Sequence, residues 1–177
     1  APRLLLVVDA SYWDLDRLMV FAAARGLPTL AHVRDTGADR IHRWQSGSLR
    51  VTDEPLDLAH LLPECDAVIA HGGQGSLHAT LLAGKPVLIL PQHVEQLLNA
   101  LLASELGAAT MVGLEREEPP DYGALLEPLL ADARFAAQAR AFAERHAGHD
   151  PSAAAAAIAD RCEELIRRPA RLRVRRR

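Results

Sequence analysis

Short apolar segments alternate with longer amphipathic segments along the chain. The short segments are rich in β-branched residues and predict six strands, at residues 4–8, 29–33, 49–51, 67–70, 87–90 and 110–112. The intervals follow a helical period and predict helices at residues 14–24, 76–83, 95–105, 122–130, 132–146 and 152–168, with a short helical turn at 56–62. Residues 87–90 are apolar without interruption, which is typical of a strand covered on both faces. The alternation predicts an α/β fold, with a Rossmann-like parallel sheet and helices on both faces.

One domain is predicted from the length of 177 residues. Hydrophobic residues make up 49% of the chain and charged residues 24%, which is the balance of an ordinary globular protein. We assign residues 1–168 to this domain and residues 169–177 to a basic tail. The formal net charge is -3 although the tail is rich in arginine, so the body of the chain is acidic and nucleic acid is not expected as a partner.

The two cysteines, Cys65 and Cys162, are far apart in the sequence. Because there is no CxxC spacing and no Cys/His cluster, neither a disulfide framework nor a structural zinc site is predicted. The expectation of no other metal and no cofactor depends on the family resemblance given below. No apolar run approaches the roughly 20 residues that span a bilayer, and the first residues lack the pattern of a secretory signal. The sequence therefore predicts a cytoplasmic chain without a transmembrane segment.

A glycine-rich turn follows the predicted strand at residues 67–70 and precedes a predicted helix. In a parallel sheet, ligands bind beyond the carboxyl ends of the strands, where this turn must lie. The backbone of Gly72, Gly73 and Gly75 can approach a ligand closely, and the N–H groups at the start of the helix favour an anion such as a diphosphate. Ser76 is predicted to cap the helix and to donate to a phosphate. His71 would point a ring N–H at the same anion and act as an electrostatic clamp.

Polar residues also follow the next predicted strand, at residues 87–90. Glu95 can accept from two adjacent hydroxyls of a sugar, while Gln96 can both donate and accept. Both clusters are predicted to face one crevice, because both lie beyond the carboxyl ends of strands. The alternative interpretations are structural: Gly72 and Gly73 would make a tight turn beside a surface histidine, and Glu95 and Gln96 would be ordinary residues of a first helical turn.

Taken together, these segments resemble the donor-binding signature of the family 1 glycosyltransferases, which include bacterial natural-product glycosyltransferases and UDP-glucosyl- and glucuronosyltransferases. The matching residues, in chain order, are His71-Gly72-Gly73-Gln74-Gly75-Ser76, Gly84-Lys85-Pro86, Pro91, Glu95-Gln96, Asn99-Ala100 and Leu106-Gly107-Ala108. The resemblance implies the carboxy-terminal half of a GT-B fold, in which two Rossmann-like domains face a cleft.

The resemblance also implies a function for the chain. The donor would be a UDP- or dTDP-sugar, with His71 on the diphosphate, the backbone of Gly73 and Gly75 together with Ser76 along the phosphates, and Glu95 and Gln96 on the sugar. A hexose would be transferred with inversion by direct displacement and without a metal. The general base for the acceptor would belong to an amino-terminal acceptor-binding domain, present in cis or supplied in trans, so this chain alone would bind the donor without efficient transfer.

Among several departures from the family pattern, two concern the loop after the first strand and the residues that read the base. Asp9-Ala10-Ser11 replaces the usual Gly-Ser after the first strand, so Ser11 is the residue expected to contact the donor there. The Trp and Gln that read the base are not recognisable at residues 51–55, and Trp44 is a candidate for stacking on the base, with a place in the core as the alternative. Other functions stay open: a stand-alone, non-catalytic donor-binding subunit, and a relative of the same fold with other chemistry, such as a nucleotide-sugar epimerase or an undecaprenyl-linked N-acetylglucosaminyltransferase.

Overall fold

Six parallel strands form one sheet in the computed structural model, which describes residues 1–114 and 118–167. The strand order is β3-β2-β1-β4-β5-β6. The strands are β1 (Leu4–Asp9), β2 (Thr29–Arg34), β3 (Leu49–Thr52), β4 (Ala67–Ala70), β5 (Val87–Ile89) and β6 (Ala109–Met111). All six lie where the sequence predicts strands, with ends that differ by one residue at most, and the predicted α/β fold is confirmed.

In the described residues, helices lie between successive strands, and three more helices follow the last strand. They are α1 (Leu15–Ala24), α2 (Ala38–Trp44), α3 (Leu58–Leu61), α4 (Gln74–Leu82), α5 (Val94–Glu105), α6 (Tyr122–Ala131), α7 (Ala133–Arg145) and α8 (Pro151–Arg167), and a 3-10 turn covers Leu62–Glu64. The sequence analysis missed α2 and began α4 two residues too late. Helix α4 begins at Gln74 because Gly73 takes the extended conformation of an N-cap, with φ -63° and ψ 143°.

The core lies on both faces of the sheet. On one face, Leu6 of β1 packs with Leu18 of α1 and Leu126 of α6. On the other face, Leu5 packs with Leu77 of α4. The adjacent side chains of β1 point to opposite faces, so one strand serves both cores. Each fully buried leucine contributes about 1.5–3 kcal/mol to folding. Every residue of β5 is buried, as predicted for a strand covered on both faces, and every residue of β4 is buried as well.

The strand register brings three loops to the same edge of the sheet. Val7 of β1 pairs with Ala70 of β4, and Ala70 pairs with Ile89 of β5. On the other side of β1, Asp9 pairs with Arg34 of β2. From β1 the chain first builds the sheet outward through β2 and β3, and it then crosses back to place β4 on the other side of β1. A crevice therefore opens beyond the carboxyl ends of β1 and β4. In open α/β sheets this switch point is where ligands bind.

The chain divides into two units, Ala1–Arg145 and His146–Arg177. The sequence analysis placed α8 in a single domain that ends at residue 168, whereas the structure groups it with the second unit. Helix α8 exposes Ile158, Leu165 and Ile166. The predicted basic tail, residues 169–177, lies outside the described residues. None of the helices in the described part of the chain has the length and hydropathy of a membrane-spanning segment.

Candidate functional site

The loop between β4 and α4 is packed tightly against the start of α5. Gly72 has φ +85°, and a Cβ placed on it would lie 2.7 Å from Cγ2 of Ile89 and 3.3 Å from the carbonyl oxygen of Gln96. The side-chain amide of Asn99 donates to the carbonyl of Gly72 over 3.0 Å. Only glycine fits at position 72, because both the backbone conformation and the space exclude a side chain. The two predicted clusters therefore meet at one edge of the sheet.

The amino-terminal end of α4 opens toward this edge with free N–H groups. The first intrahelical bond runs from Leu77 N to Gly73 O over 3.0 Å. It leaves the N–H groups of Gln74, Gly75 and Ser76 without an intrahelical acceptor, at the positive end of the helix dipole. No side chain caps the helix. This end of α4 has the donors and the polarity to bind an anion.

Ser76 does not cap the helix, and that prediction is wrong. The residue lies within the first turn of α4, and its hydroxyl donates to Gly73 O over 3.3 Å. A serine in the first turn of a helix can bond back in this way to the carbonyl three residues earlier. The hydroxyl is nevertheless at the same helix end as the free N–H groups, so its role toward a phosphate stays a prediction.

His71 follows β4 directly and is half-buried. Its Nδ1 lies 3.2 Å from the carbonyl oxygen of Val7, and a Cβ on Gly73 would lie 3.0 Å from its Nε2. One ring nitrogen is thus bonded to β1 while the other faces the loop before α4. Burial lowers the pKa of His71 below its usual value, although the bond to Val7 acts in the opposite direction. A pKa below the usual value of 6.5 favours the neutral ring at neutral pH in the free chain.

The loop after β1 carries a carboxylate that the sequence analysis did not single out. Asp9 accepts from the backbone N–H of Ser11 over 2.9 Å and from the guanidinium of Arg34 over 2.7 Å. Hydrogen bonds from Ser11 and Arg34 lower the pKa of Asp9 to about 2. The hydroxyl of Ser11 lies 3.5 Å from Oε1 of Gln92, in the loop after β5. Ser11 thus lies at the predicted edge, facing the second cluster.

The two polar residues at the start of α5 differ in exposure. Gln96 is only 6% exposed, and its side-chain oxygen Oε1 accepts from the backbone N–H of Gln92 over 2.8 Å. Glu95 is exposed at the same end of the helix. The bond at Gln96 fixes its side chain and uses its carbonyl oxygen as an acceptor. Glu95 is therefore the more available partner for a hydroxyl, and the amide nitrogen is the group that Gln96 can offer.

Trp44 lies in the core and not at the crevice. It is 8% exposed, its Nε1 donates to Asp16 over 3.0 Å, and the guanidinium of Arg40 lies 4.7 Å from the ring centroid. The ring is held between α2 and α1 by these contacts and by the sheet beneath it. A covered ring cannot stack on a nucleobase, so the structure favours the core alternative and Trp44 does not belong to the site.

A pocket of about 340 Å³ adjoins the crevice on the β2 side. It is lined at the ends of β1 and β2 by Val7, His32 and Arg34, and by Asp53 and Pro55 after β3. A separate cleft of about 540 Å³ lies at the opposite, amino-terminal edge of the sheet. Its lining includes Arg3, Gly26, Pro28, Gly47, Arg50 and Glu64. In the described residues, no three His, Cys, Asp or Glu side chains gather so as to hold a metal ion.

Known proteins resemble this chain in sequence and in fold. Elloramycin glycosyltransferase ElmGT of Streptomyces olivaceus is 39% identical over 87 residues, which are 49% of this chain and 21% of that protein. The solved structure of the spinosyn rhamnosyltransferase SpnG with spinosyn aglycone superposes with a TM-score of 0.75 at 21% identity, over 90% of this chain and 45% of that one. Glycosyltransferase SsfS6 of Streptomyces sp. SF2575, complexed with thymidine diphosphate, gives 0.66 at 24% identity, over 83% and 37%.

The family assignment rests on a longer match. Residues 22–165 match the family model described as erythromycin biosynthesis protein CIII-like, C-terminal domain. The chain spans less than half of the length of each relative named above. The matched region contains both loops of the crevice. The chain belongs to the family of erythromycin biosynthesis protein CIII-like carboxy-terminal domains, which confirms the predicted carboxy-terminal domain of a family 1, GT-B glycosyltransferase.

Proposed function

We propose that the chain binds a UDP- or dTDP-sugar and serves as the donor domain of a glycosyltransferase that moves a hexose to an acceptor with inversion. The observation that carries the proposal is the arrangement at one sheet edge of the free N–H groups of α4, the Nε2 of His71 and the carboxylate of Glu95. The solved complex of SsfS6 with thymidine diphosphate, a relative in fold, supports a nucleoside diphosphate as the ligand class.

The diphosphate is assigned to the start of α4. There the N–H groups of Gln74, Gly75 and Ser76 donate to the phosphate oxygens, and the helix dipole favours their negative charge. The Nε2 of His71 faces the same place from the side of β1. When the bond to the sugar breaks, negative charge grows on the departing diphosphate, and donors that are already fixed in place stabilise it without reorganisation.

The nucleoside and the sugar are assigned to the two sides of the diphosphate. The pocket of about 340 Å³ beside Arg34 and Pro55 is large enough for a base or a ribose. It lies next to His71, because Val7 lines the pocket and its carbonyl is bonded to the His71 ring. On the other side, Glu95 accepts from sugar hydroxyls, and Gln96 is held in place by its bond to Gln92. This order of base, diphosphate and sugar runs along the edge from β2 to β5.

The acceptor and its general base are assigned to a second domain, in cis or in trans. The chain aligns with only 21% of ElmGT and 45% of SpnG, so most of each relative has no counterpart here. Direct displacement needs a base on the acceptor hydroxyl opposite the leaving diphosphate. We expect the chain alone to bind the donor and to transfer the sugar only when the acceptor domain is present.

Calorimetric titration of the chain with dTDP-glucose and UDP-glucose tests the proposal. Binding of at least one donor is expected, together with a rise in the thermal midpoint, because a ligand at about 100 times its dissociation constant adds roughly 2.7 kcal/mol to the free energy of unfolding. Glu95→Gln is expected to weaken binding of the nucleotide-sugar more than binding of the free nucleoside diphosphate, since only the sugar contacts Glu95. His60→Gln, on the exposed face of α3, serves as the control and should bind normally.

The absence of binding for both donors and for both free nucleoside diphosphates would refute the proposal. A variant Glu95→Gln that lost affinity equally for dTDP-glucose and for thymidine diphosphate would contradict the assignment of the sugar to α5. Release of an altered sugar nucleotide by the chain alone would favour the epimerase instead.

A further inference from the structure

The hydrogen bond of His71 to β1 fixes which ring nitrogen carries a proton. Nδ1 lies 3.2 Å from the carbonyl oxygen of Val7, and a carbonyl can only accept. Nδ1 must therefore carry a hydrogen in every charge state in which this bond is made. A neutral imidazole holds a single N–H, so its other nitrogen, Nε2, then has a lone pair and no hydrogen.

Nε2 is the ring nitrogen that faces the proposed diphosphate. A Cβ on Gly73 would lie 3.0 Å from Nε2 and 3.4 Å from Cδ2, so this side of the ring faces the loop that leads into α4. A phosphate oxygen cannot donate to a lone pair when it is ionised, and the two would repel each other. The neutral ring of the free chain therefore has no hydrogen to donate to the phosphate, whereas the imidazolium donates from both nitrogens.

The charged groups around His71, taken together, do not favour its protonated form in the free chain. Asp9 at the end of β1 favours the imidazolium, Arg34 at the end of β2 opposes it, and these two neutralise each other in an ion pair of 2.7 Å. His93 before α5 also opposes the imidazolium. The positive end of α4 acts in the same direction. Burial is the largest effect, and it lowers the pKa of His71 below its usual value.

We propose that the site takes up one proton with the diphosphate, at Nε2 of His71, and holds the ligand as an ion pair with the imidazolium. The inference rests on the proposed function. The proton comes from solvent on binding and returns to solvent when the nucleoside diphosphate leaves, and no covalent bond of the ligand changes. The two negative charges of the diphosphate supply the attraction that the free chain lacks, so the protonated ring becomes the stable form only in the complex.

The inference sets the pH dependence of binding. Below the pKa of His71 in the free chain, the ring is already charged and affinity does not depend on this group. Between the pKa of the free chain and the higher pKa of the complex, the association constant falls about tenfold for each unit of rising pH. Above the pKa of the complex, the chain binds with the neutral ring, and the affinity is again independent of His71.

Titration calorimetry with dTDP-glucose at pH 7.5 tests the inference, in buffers that differ in their heat of ionisation. The diphosphate of this probe is esterified at both ends and has no group that titrates near neutral pH, so any proton exchanged belongs to the protein. We expect uptake of close to one proton per ligand. His71→Gln offers a neutral N–H in place of Nε2 and should bind with no uptake and a flat pH profile, whereas His60→Gln should retain both.

A second measurement is independent of the variant's folding. In imidazole ¹⁵N spectra of the unaltered chain, Nε2 of His71 is expected to shift from an unprotonated to a protonated nitrogen when dTDP-glucose is added, while Nδ1 stays protonated. Binding without proton uptake, uptake that persists in His71→Gln, or an unprotonated Nε2 in the complex would each overturn the inference and leave the proposed function standing. No binding at any pH between 5 and 9 would instead refute the proposed function.

Discussion

Replacing Gly72 with alanine tests how the crevice is built. The residue has φ +85°, and the new Cβ would lie 2.7 Å from Cγ2 of Ile89 and 3.3 Å from the carbonyl oxygen of Gln96. Ile89 is fully buried in β5, and the contacting oxygen of Gln96 is part of the backbone of α5, so neither group can move away freely. The substitution should therefore separate the loop before α4 from the loop before α5.

The expected cost has two physical parts. A residue with a Cβ in the left-handed region costs about 1–2 kcal/mol relative to glycine. Forcing an extra methyl against packed atoms costs typically about 1–3 kcal/mol. We expect Gly72→Ala to lower the free energy of unfolding by about 2–5 kcal/mol, which is a large part of the roughly 5–15 kcal/mol that stabilises an ordinary domain.

Urea unfolding followed by circular dichroism measures this loss, with Gly75→Ala as the matched control. Apart from its chain neighbours and the backbone of its own helix, α4, no atom of the described residues lies within 4 Å of a Cβ on Gly75. Both substitutions stiffen the unfolded chain equally, so their difference reports the folded state. Gly75→Ala should be neutral or stabilising by up to about 1 kcal/mol. A Gly72→Ala variant within about 0.5 kcal/mol of Gly75→Ala would refute the packing described for the crevice.

Gly73→Ala should weaken binding of thymidine diphosphate by about tenfold or more, because the new Cβ would lie 3.0 Å from Nε2 of His71. Stability should change little, because the backbone conformation of residue 73 suits alanine. Unchanged affinity in calorimetry would contradict this. Tyr122→Phe should cost about 1–3 kcal/mol in urea unfolding, because the buried hydroxyl donates to Asp14 over 2.8 Å and lies 2.9 Å from the hydroxyl of Tyr12. Asp9→Asn should lower the free energy of unfolding by about 1–2 kcal/mol at pH 7, because the pKa of Asp9 is lowered to about 2 in the folded chain. This figure is smaller than the pKa shift alone would give, because Arg34 is exposed and solvent screens the pair. That contribution is complete above about pH 4 and is lost as the pH falls toward about 2, so a difference between the two proteins that did not shrink on acidification would count against the ion pair.

The strands could be predicted because burial and sequence pattern agree there. Every residue of β4 and β5 is buried, so their uninterrupted apolar runs are direct signs of a strand covered on both faces. Helix α2 left no comparable sign. It has seven residues, and Trp44 is its one buried residue, so its sequence shows no apolar stripe. The start of α4 was placed late because glycines weaken the helical signal in its first turn.

The site could be predicted only in part. The order of motifs identified the two loops, because each follows a strand whose position was clear. The Asp9–Arg34 pair joins residues 25 positions apart, and its formation depends on the pairing of β1 with β2, which no local pattern reveals. Its one sign in the sequence was a charged residue at the end of each strand. Trp44 was wrongly considered for the base because an aromatic ring suits a core as well as a ligand.

Amide ¹H–¹⁵N shift mapping of the chain with dTDP-glucose is the most direct test of the central claim, that one crevice at the carboxyl edge of the sheet holds the whole donor. The account predicts the largest shifts at the N–H groups of residues 73–76, with further shifts at Ser11 and Glu95. Shifts concentrated instead around the cleft at the opposite edge, near Arg3 and Arg50, would contradict it.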